Sequence, residues 1–252
     1  MKSLIENARS FAATHVADPR NTAAFQALRT GQSPEALFVT CSDSRVVPAL
    51  ITGARPGELF ELRTAGNVVP PYPSAAAAGI ADAAGPGGAG RRGGTAHPQS
   101  EAATIEYAVR VLGVRDIVVC GHSHCGAVGA LVRGEDLSAV PAVRDWLEHA
   151  VGPDAAVRSV VPESADVAEA VQTHVLAQVE RLRAYPCVQE RLADGTLTLH
   201  AWYYEVHTGT VTAHRPPRTD SPSADGHRGA TGDRSRAPGA VATRPRPVFG
   251  PL

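Results

Sequence analysis

Apolar residues recur along this chain at two spacings, and the alternation between them lays out its elements. "ALFVT" (36–40), following Pro34, is a continuous apolar run of strand length and predicts a buried strand. "ELFELR" (58–63), after the turn signal "RPG", predicts a second strand, and "RDIVVC" (115–120) a third. Elsewhere the period lengthens. Residues 2–30 place Leu4, Ala8, Phe11 and Ala12 at helical spacing, which predicts a helical N-terminal arm. "SEAATIEYAVRVLG" (100–113) carries Ile105, Ala108, Val109 and Leu112 on one face and stops at Gly113. "GAVGALVRG" predicts a short helix behind the third strand. Val167, Val171, Val175, Val179 and Leu182 stripe a long helix that ends near Pro186. Residues 196–214 predict two strands around the turn "HTG". Strands separated by helices predict an α/β fold: a mostly parallel β-sheet with an antiparallel edge hairpin, flanked by helices.

Two segments break the pattern. Residues 73–99 are rich in Gly, Ala and Pro and too poor in large apolar residues to pack, which predicts a mobile insertion in a domain spanning 1–214. Residues 215–252 predict a disordered C-terminal tail. Of the 252 residues, 43% are hydrophobic and 19% charged, and the formal net charge is -1. A near-neutral chain gives no reason to expect nucleic acid or an anionic membrane as partner. No apolar stretch approaches the roughly 18 residues that span a bilayer. The first twenty residues lack the apolar core of a signal peptide, so the cytoplasm is the expected compartment. Four cysteines in a chain of this length favour metal binding or catalysis over a disulfide framework.

Three of the reactive residues sit where such sheets build their sites, beyond the carboxyl ends of strands. Cys41 follows the first strand; His122 and Cys125 follow the third, at the start of a helix. Taken singly, Cys41 reads as a small buried hydrophobe and His-x-x-Cys as a weak pattern. Taken together they form a zinc-type donor set of two sulfurs and an imidazole, and three protein ligands leave one tetrahedral position open for catalysis. His122 suits this level better than His124, while Cys120 and Cys187 read as structural. Asp43 and Arg45 form either a loop salt bridge or a charge-assisted pair beside the metal. In the second case Asp43 either accepts a hydrogen bond from metal-bound water or fills the open position itself.

"CSDSRVVP", "PGELFELRTAGNVVP", "IEYAVRVLGV" and "IVVCGHSHCGAV", in this order and spacing, resemble the β-class carbonic anhydrases over about residues 20–214, the insertion apart. The resemblance implies a Rossmann-like sheet, one Zn2+ per subunit on Cys41, His122 and Cys125, and an Asp43–Arg45 dyad. It implies reversible hydration of carbon dioxide to bicarbonate by zinc-bound hydroxide. It further implies the open form of the class, as in plant-like and bacterial cyanate-operon-like members. Gln32, Phe60, Ala65 and Tyr107 then line the carbon dioxide pocket, and the Gly126 N–H lies near the product anion. By residue type alone, Gln32 reads as a loop residue and Phe60 and Tyr107 as core. Ala65 and Thr64 stand where relatives often carry valine and asparagine. At least a homodimer, paired through N-terminal helices, is implied. Two rivals stay open: a hydrolase of carbon disulfide or carbonyl sulfide on the same zinc site, and a non-catalytic zinc or bicarbonate sensor.

Overall fold

The computed structural model describes residues 1–73, 99–151, 167–215 and 248–252. All but the end residues of the expected insertion, and residues 216–247 of the expected tail, lie outside the described residues. The strands are β1 (Ala36–Cys41), β2 (Leu59–Thr64), β3 (Asp116–His122), β4 (Thr198–Glu205), β5 (Thr210–His214) and β6 (Phe249–Pro251). They form one sheet in the order β2-β1-β3-β4-β5-β6. The first four in that order run parallel, and β5 and β6 are antiparallel to their neighbours. β1 is buried at every position, as a strand with neighbours on both sides and both faces covered must be. β2, at the sheet edge, alternates buried and exposed residues towards its end. The expected α/β architecture and edge hairpin are therefore present.

β6 corrects one expectation, that the tail is disordered to its end. Phe249–Pro251 pairs with β5 instead. The physical reason is the open edge of β5, whose backbone groups an extended segment satisfies. Phe249 also packs its ring at a tilt against His214, with ring centroids 5.4 Å apart.

Helices α1 (Lys2–Phe11) and α2 (Pro19–Ala27) replace the single run expected over 2–30. After a wide π turn over Ala12–Val16 the chain breaks at Asp18–Pro19. Proline lacks the N–H needed inside a helix but fits its first turn. The Asp18 side chain then caps α2 by accepting from the Arg20 N–H at 2.9 Å. Neither helix buries a residue.

The remaining helices are α3 (Pro48–Thr52), α4 (Ser100–Glu106), α5 (Gly126–Arg133), α6 (Pro141–Val151), α7 (Ala168–Arg183) and α8 (Pro186–Ala193). α6 is not among the elements expected above, although Val143, Trp146, Leu147 and Ala150 recur at helical spacing; α7 ends near Pro186 as expected, and Pro186 itself opens α8. The valine stripe of α7 is buried as expected and joins the main core with Leu37, Val39, Ile117 and Val119. Close approach depends on Gly121 of β3: a Cβ there would lie 2.5 Å from Val171 Cγ1 and 2.6 Å from Val175 Cγ2. Only glycine leaves room for the helix beside His122.

Candidate metal centre

β1 lies between β2 and β3, so the chain leaves it towards one side of the sheet and later returns on the other. A crevice opens at such a switch point, beyond the carboxyl ends of the strands. Cys41 ends β1, His122 ends β3, and Cys125 is the residue that caps α5. Their ligand atoms all lie within 4.8 Å of one another, and all three residues are buried. His124, by contrast, is exposed and takes a left-handed φ of 54°.

The donors suit a metal cation. His122 Nδ1 lies 2.9 Å from the Ser123 carbonyl, which can only accept, so Nδ1 carries the proton. That leaves the Nε2 lone pair buried and without a hydrogen-bond partner. Hydrogen bonding with Cys125 holds the Cys41 thiol below the usual thiol range, against the opposing effect of burial, and the same contact pushes Cys125 up. One proton of the pair leaves readily, and the second is retained until a cation offsets the accumulated charge. The Gly66 N–H donates to Cys41 Sγ at 3.4 Å, and the backbone N–H groups of Val128 and Ala127, in the first turn of α5, favour the Cys125 thiolate. Two thiolates and an imidazole fit zinc. Cys120 is different: burial pushes it up to about 12, and it stays a core thiol.

Asp43 stands beside this set, its Oδ2 3.8 Å from His122 Nε2. Arg45 grips it as a fork, Nε to Oδ1 at 2.9 Å and Nη2 to Oδ2 at 2.6 Å, and adds its backbone N–H to Oδ1 at 2.9 Å. The guanidinium holds the carboxyl well below the usual carboxylate range. Arg45 Nη2 also donates to the His124 carbonyl at 3.2 Å, tying the two ligand loops together.

The other expected site residues are placed as follows. Phe60 and Tyr107 meet with ring centroids 5.9 Å apart. Tyr107 is 45% exposed, not core, because it lies off the face on which Ala102, Ile105, Ala108 and Val109 are buried. Ala65 opens a 3₁₀ turn after β2 and is exposed, as is Gly126, where a Cβ would meet open space. Gln32 is exposed in the loop before β1.

Composition and spacing pass over three residues that shape the centre. Arg63 donates to the carbonyls of Cys41 (2.9 Å), Asp43 (2.9 Å) and Val46 (2.7 Å), holding the loop that carries the thiol and the dyad. Inside a strand it reads as one more exposed charge, and its register beside Thr40 is known only from the sheet. His174 and Gln178 lie on α7 and are fully buried. Their signal is visible in retrospect: positions 174 and 178 fall on the same helical stripe as Val171, Val175 and Leu182.

Residues 36–211 match the family model described as "Carbonic anhydrase". A carbonic anhydrase of Pseudomonas aeruginosa is 43% identical, covering 77% of this chain and 80% of that protein. One from Synechococcus elongatus is 40% identical, covering 84% and 70%. Among solved structures, the β-carbonic anhydrase CcaA has a TM-score of 0.68 at 37% identity over 85% of this chain and 95% of that one. A tetrameric β-carbonic anhydrase of Sordaria macrospora has a TM-score of 0.62 at 25% identity, over 84% and 95%. The chain belongs to the carbonic anhydrase family, in its β class. It is an enzyme that interconverts carbon dioxide and bicarbonate, and Cys41, His122 and Cys125 are its zinc site.

Proposed function

We propose that this carbonic anhydrase works in the open form of its class, with Asp43 orienting the nucleophile and Phe60, Ala65, Tyr107, Gln32 and Gly126 receiving the substrate. The observation that carries this reading is the engagement of Asp43. Both its oxygens are taken up by Arg45, and it lies outside the set of mutually close ligand atoms. A carboxylate so held leaves the fourth coordination position to solvent.

Zinc, when bound, supplies the Lewis acidity that makes water a nucleophile near neutral pH. An ionised Asp43 has no proton to give, so it accepts a hydrogen bond from that nucleophile and turns a lone pair towards carbon. Carbon dioxide is linear and without net dipole, which suits the aromatic pair Phe60 and Tyr107 and the small Ala65. Gln32 offers it a hydrogen bond, and the Gly126 N–H, at the start of α5, favours the anionic product. The released proton passes to buffer.

We infer that the site is completed in a homodimer or larger assembly. α1 and α2 bury nothing in their own chain while Leu4, Ile5 and Phe11 are 65%, 44% and 45% exposed. An amphipathic arm with its apolar side uncovered needs a partner surface, and a second copy supplies one. The cytoplasm is the proposed compartment, which agrees with four cysteines that are all free thiols. No helix among the described residues is long and apolar enough to cross a membrane.

Metal analysis joined to a stopped-flow carbon dioxide hydration assay tests the reading. One zinc per chain with fast hydration is expected. Full activity in a metal-free preparation refutes it.

A further inference from the structure

We propose that His174 is a positioning residue of the zinc site: its imidazole holds the Gly66 carbonyl and so fixes the backbone on one side of Gly66, whose N–H, on the other side, hydrogen-bonds the Cys41 sulfur. The inference rests on zinc being held by Cys41, His122 and Cys125.

A histidine and a glutamine on a valine stripe are costly to bury unless they are satisfied. Here they form a directed chain. The Val69 N–H donates to Gln178 Oε1 at 2.9 Å, and Gln178 Nε2 lies 3.4 Å from His174 Nδ1. His174 Nε2 lies 2.8 Å from the Gly66 carbonyl. A carbonyl accepts only, so Nε2 carries the proton and Nδ1 is left to accept from the Gln178 amide. The Gly66 N–H then reaches Cys41 Sγ at 3.4 Å. Three polar contacts thus lead from Gln178, on α7, to a metal ligand, and a fourth holds Gln178 itself.

Gly66 needs such an anchor. Its φ is +75°, and a Cβ there would lie 3.0 Å from the Ala127 side chain, so the position demands glycine, the residue that resists rotation least. The peptide before it is held from α6, where Trp146 Nε1 donates to the Ala65 carbonyl at 3.0 Å. The peptide after it is held by His174. With both planes fixed, the N–H is aimed at the sulfur before any metal arrives. A hydrogen bond to a ligating thiolate draws charge from the sulfur and sets its direction, which tunes both metal retention and the acidity of the centre.

The test compares zinc-loaded wild type with His174→Leu, which fills the site without donating, and His174→Gln, whose amide reaches the same carbonyl. One readout is the rate of zinc transfer to a chelator; the other is the sulfur-to-metal charge-transfer band of the cobalt-substituted proteins. His174→Leu is expected to lose zinc about tenfold faster or more, with a shifted band, and His174→Gln to restore both towards wild type. Wild-type exchange and an unmoved band in His174→Leu overturn the proposal, as does a His174→Gln variant impaired to the same degree. If His174→Leu does not fold, Gln178→Leu decides the point. It releases His174 Nδ1, so faster exchange is expected, and unchanged exchange overturns the role. Wild-type protein that takes up no zinc refutes the metal site itself, a separate result.

Discussion

Exchanging Asp43 for Asn keeps the side chain's shape and removes the charge that Arg45 grips. The structure allows the consequence to be sized. Asp43 is not among the mutually close ligand atoms, so zinc content should stay at the wild-type level. What is lost is a charged acceptor beside the reacting centre. A hydrogen bond to a charged group contributes roughly 1.5–3 kcal/mol. At 1.36 kcal/mol for each tenfold in rate, kcat/KM should fall roughly 10- to 150-fold. Arg45→Met separates charge from orientation. Even an unpaired aspartate, with a pKa of about 3.9, is fully ionised at pH 7. The depressed Asp43 pKa is therefore not what keeps it charged in working conditions; the arginine aims it. Arg45→Met should retain zinc and show a smaller loss than Asp43→Asn. Stopped-flow hydration at saturating zinc, with metal content measured on the same samples, checks both. An Asp43→Asn enzyme with full zinc and wild-type kcat/KM refutes the assigned role. The same pair has a stability signature. A carboxyl whose folded pKa is depressed contributes stability above its unfolded value, and that stability is lost as pH falls through the folded value. In metal-free protein the gap between wild type and Asp43→Asn should be level at neutral pH and close only in strong acid. It should not exceed about 1 kcal/mol, since the Arg45 side chain is 45% exposed.

Gly121→Ala forces a methyl against Val171 and Val175 and should cost about 1–3 kcal/mol in urea unfolding. Adding Val175→Ala should recover part of that loss, and strict additivity of the two changes would count against the packing argument. Leu4→Asp with Phe11→Asp should shift the protein towards monomer in sedimentation velocity; an unchanged assembly removes the arm from the interface. Two thiolates neutralise a divalent cation where three imidazoles do not, so hydration activity should climb as pH rises past neutrality. A flat profile of kcat/KM from pH 6 to 9 contradicts this.

Strands β1 and β3 were legible because a buried central strand must be apolar along its length, and both runs are. The ligands were legible because the chemistry is local to the ends of those runs. Cys41, His122 and Cys125 each follow an apolar stretch within a few residues, and Asp43 and Arg45 sit in the same turn. The helical arm was legible in type, and its break is marked in the sequence only by Asp18–Pro19, a pair that a single helix over 2–30 passes over.

Residue order and spacing alone thus settled which atoms are able to hold a metal, and the α/β layering that presents them. Tertiary structure decided which strands are neighbours, and so that two distant loops meet at one crevice. It also decided the use of Arg63, His174 and Gln178 as anchors for the loops around Cys41. Those roles depend on partners far away in sequence, carbonyls and N–H groups that every residue possesses. A backbone group carries no mark in the sequence of which side chain will reach it, and only the packed chain supplies that information.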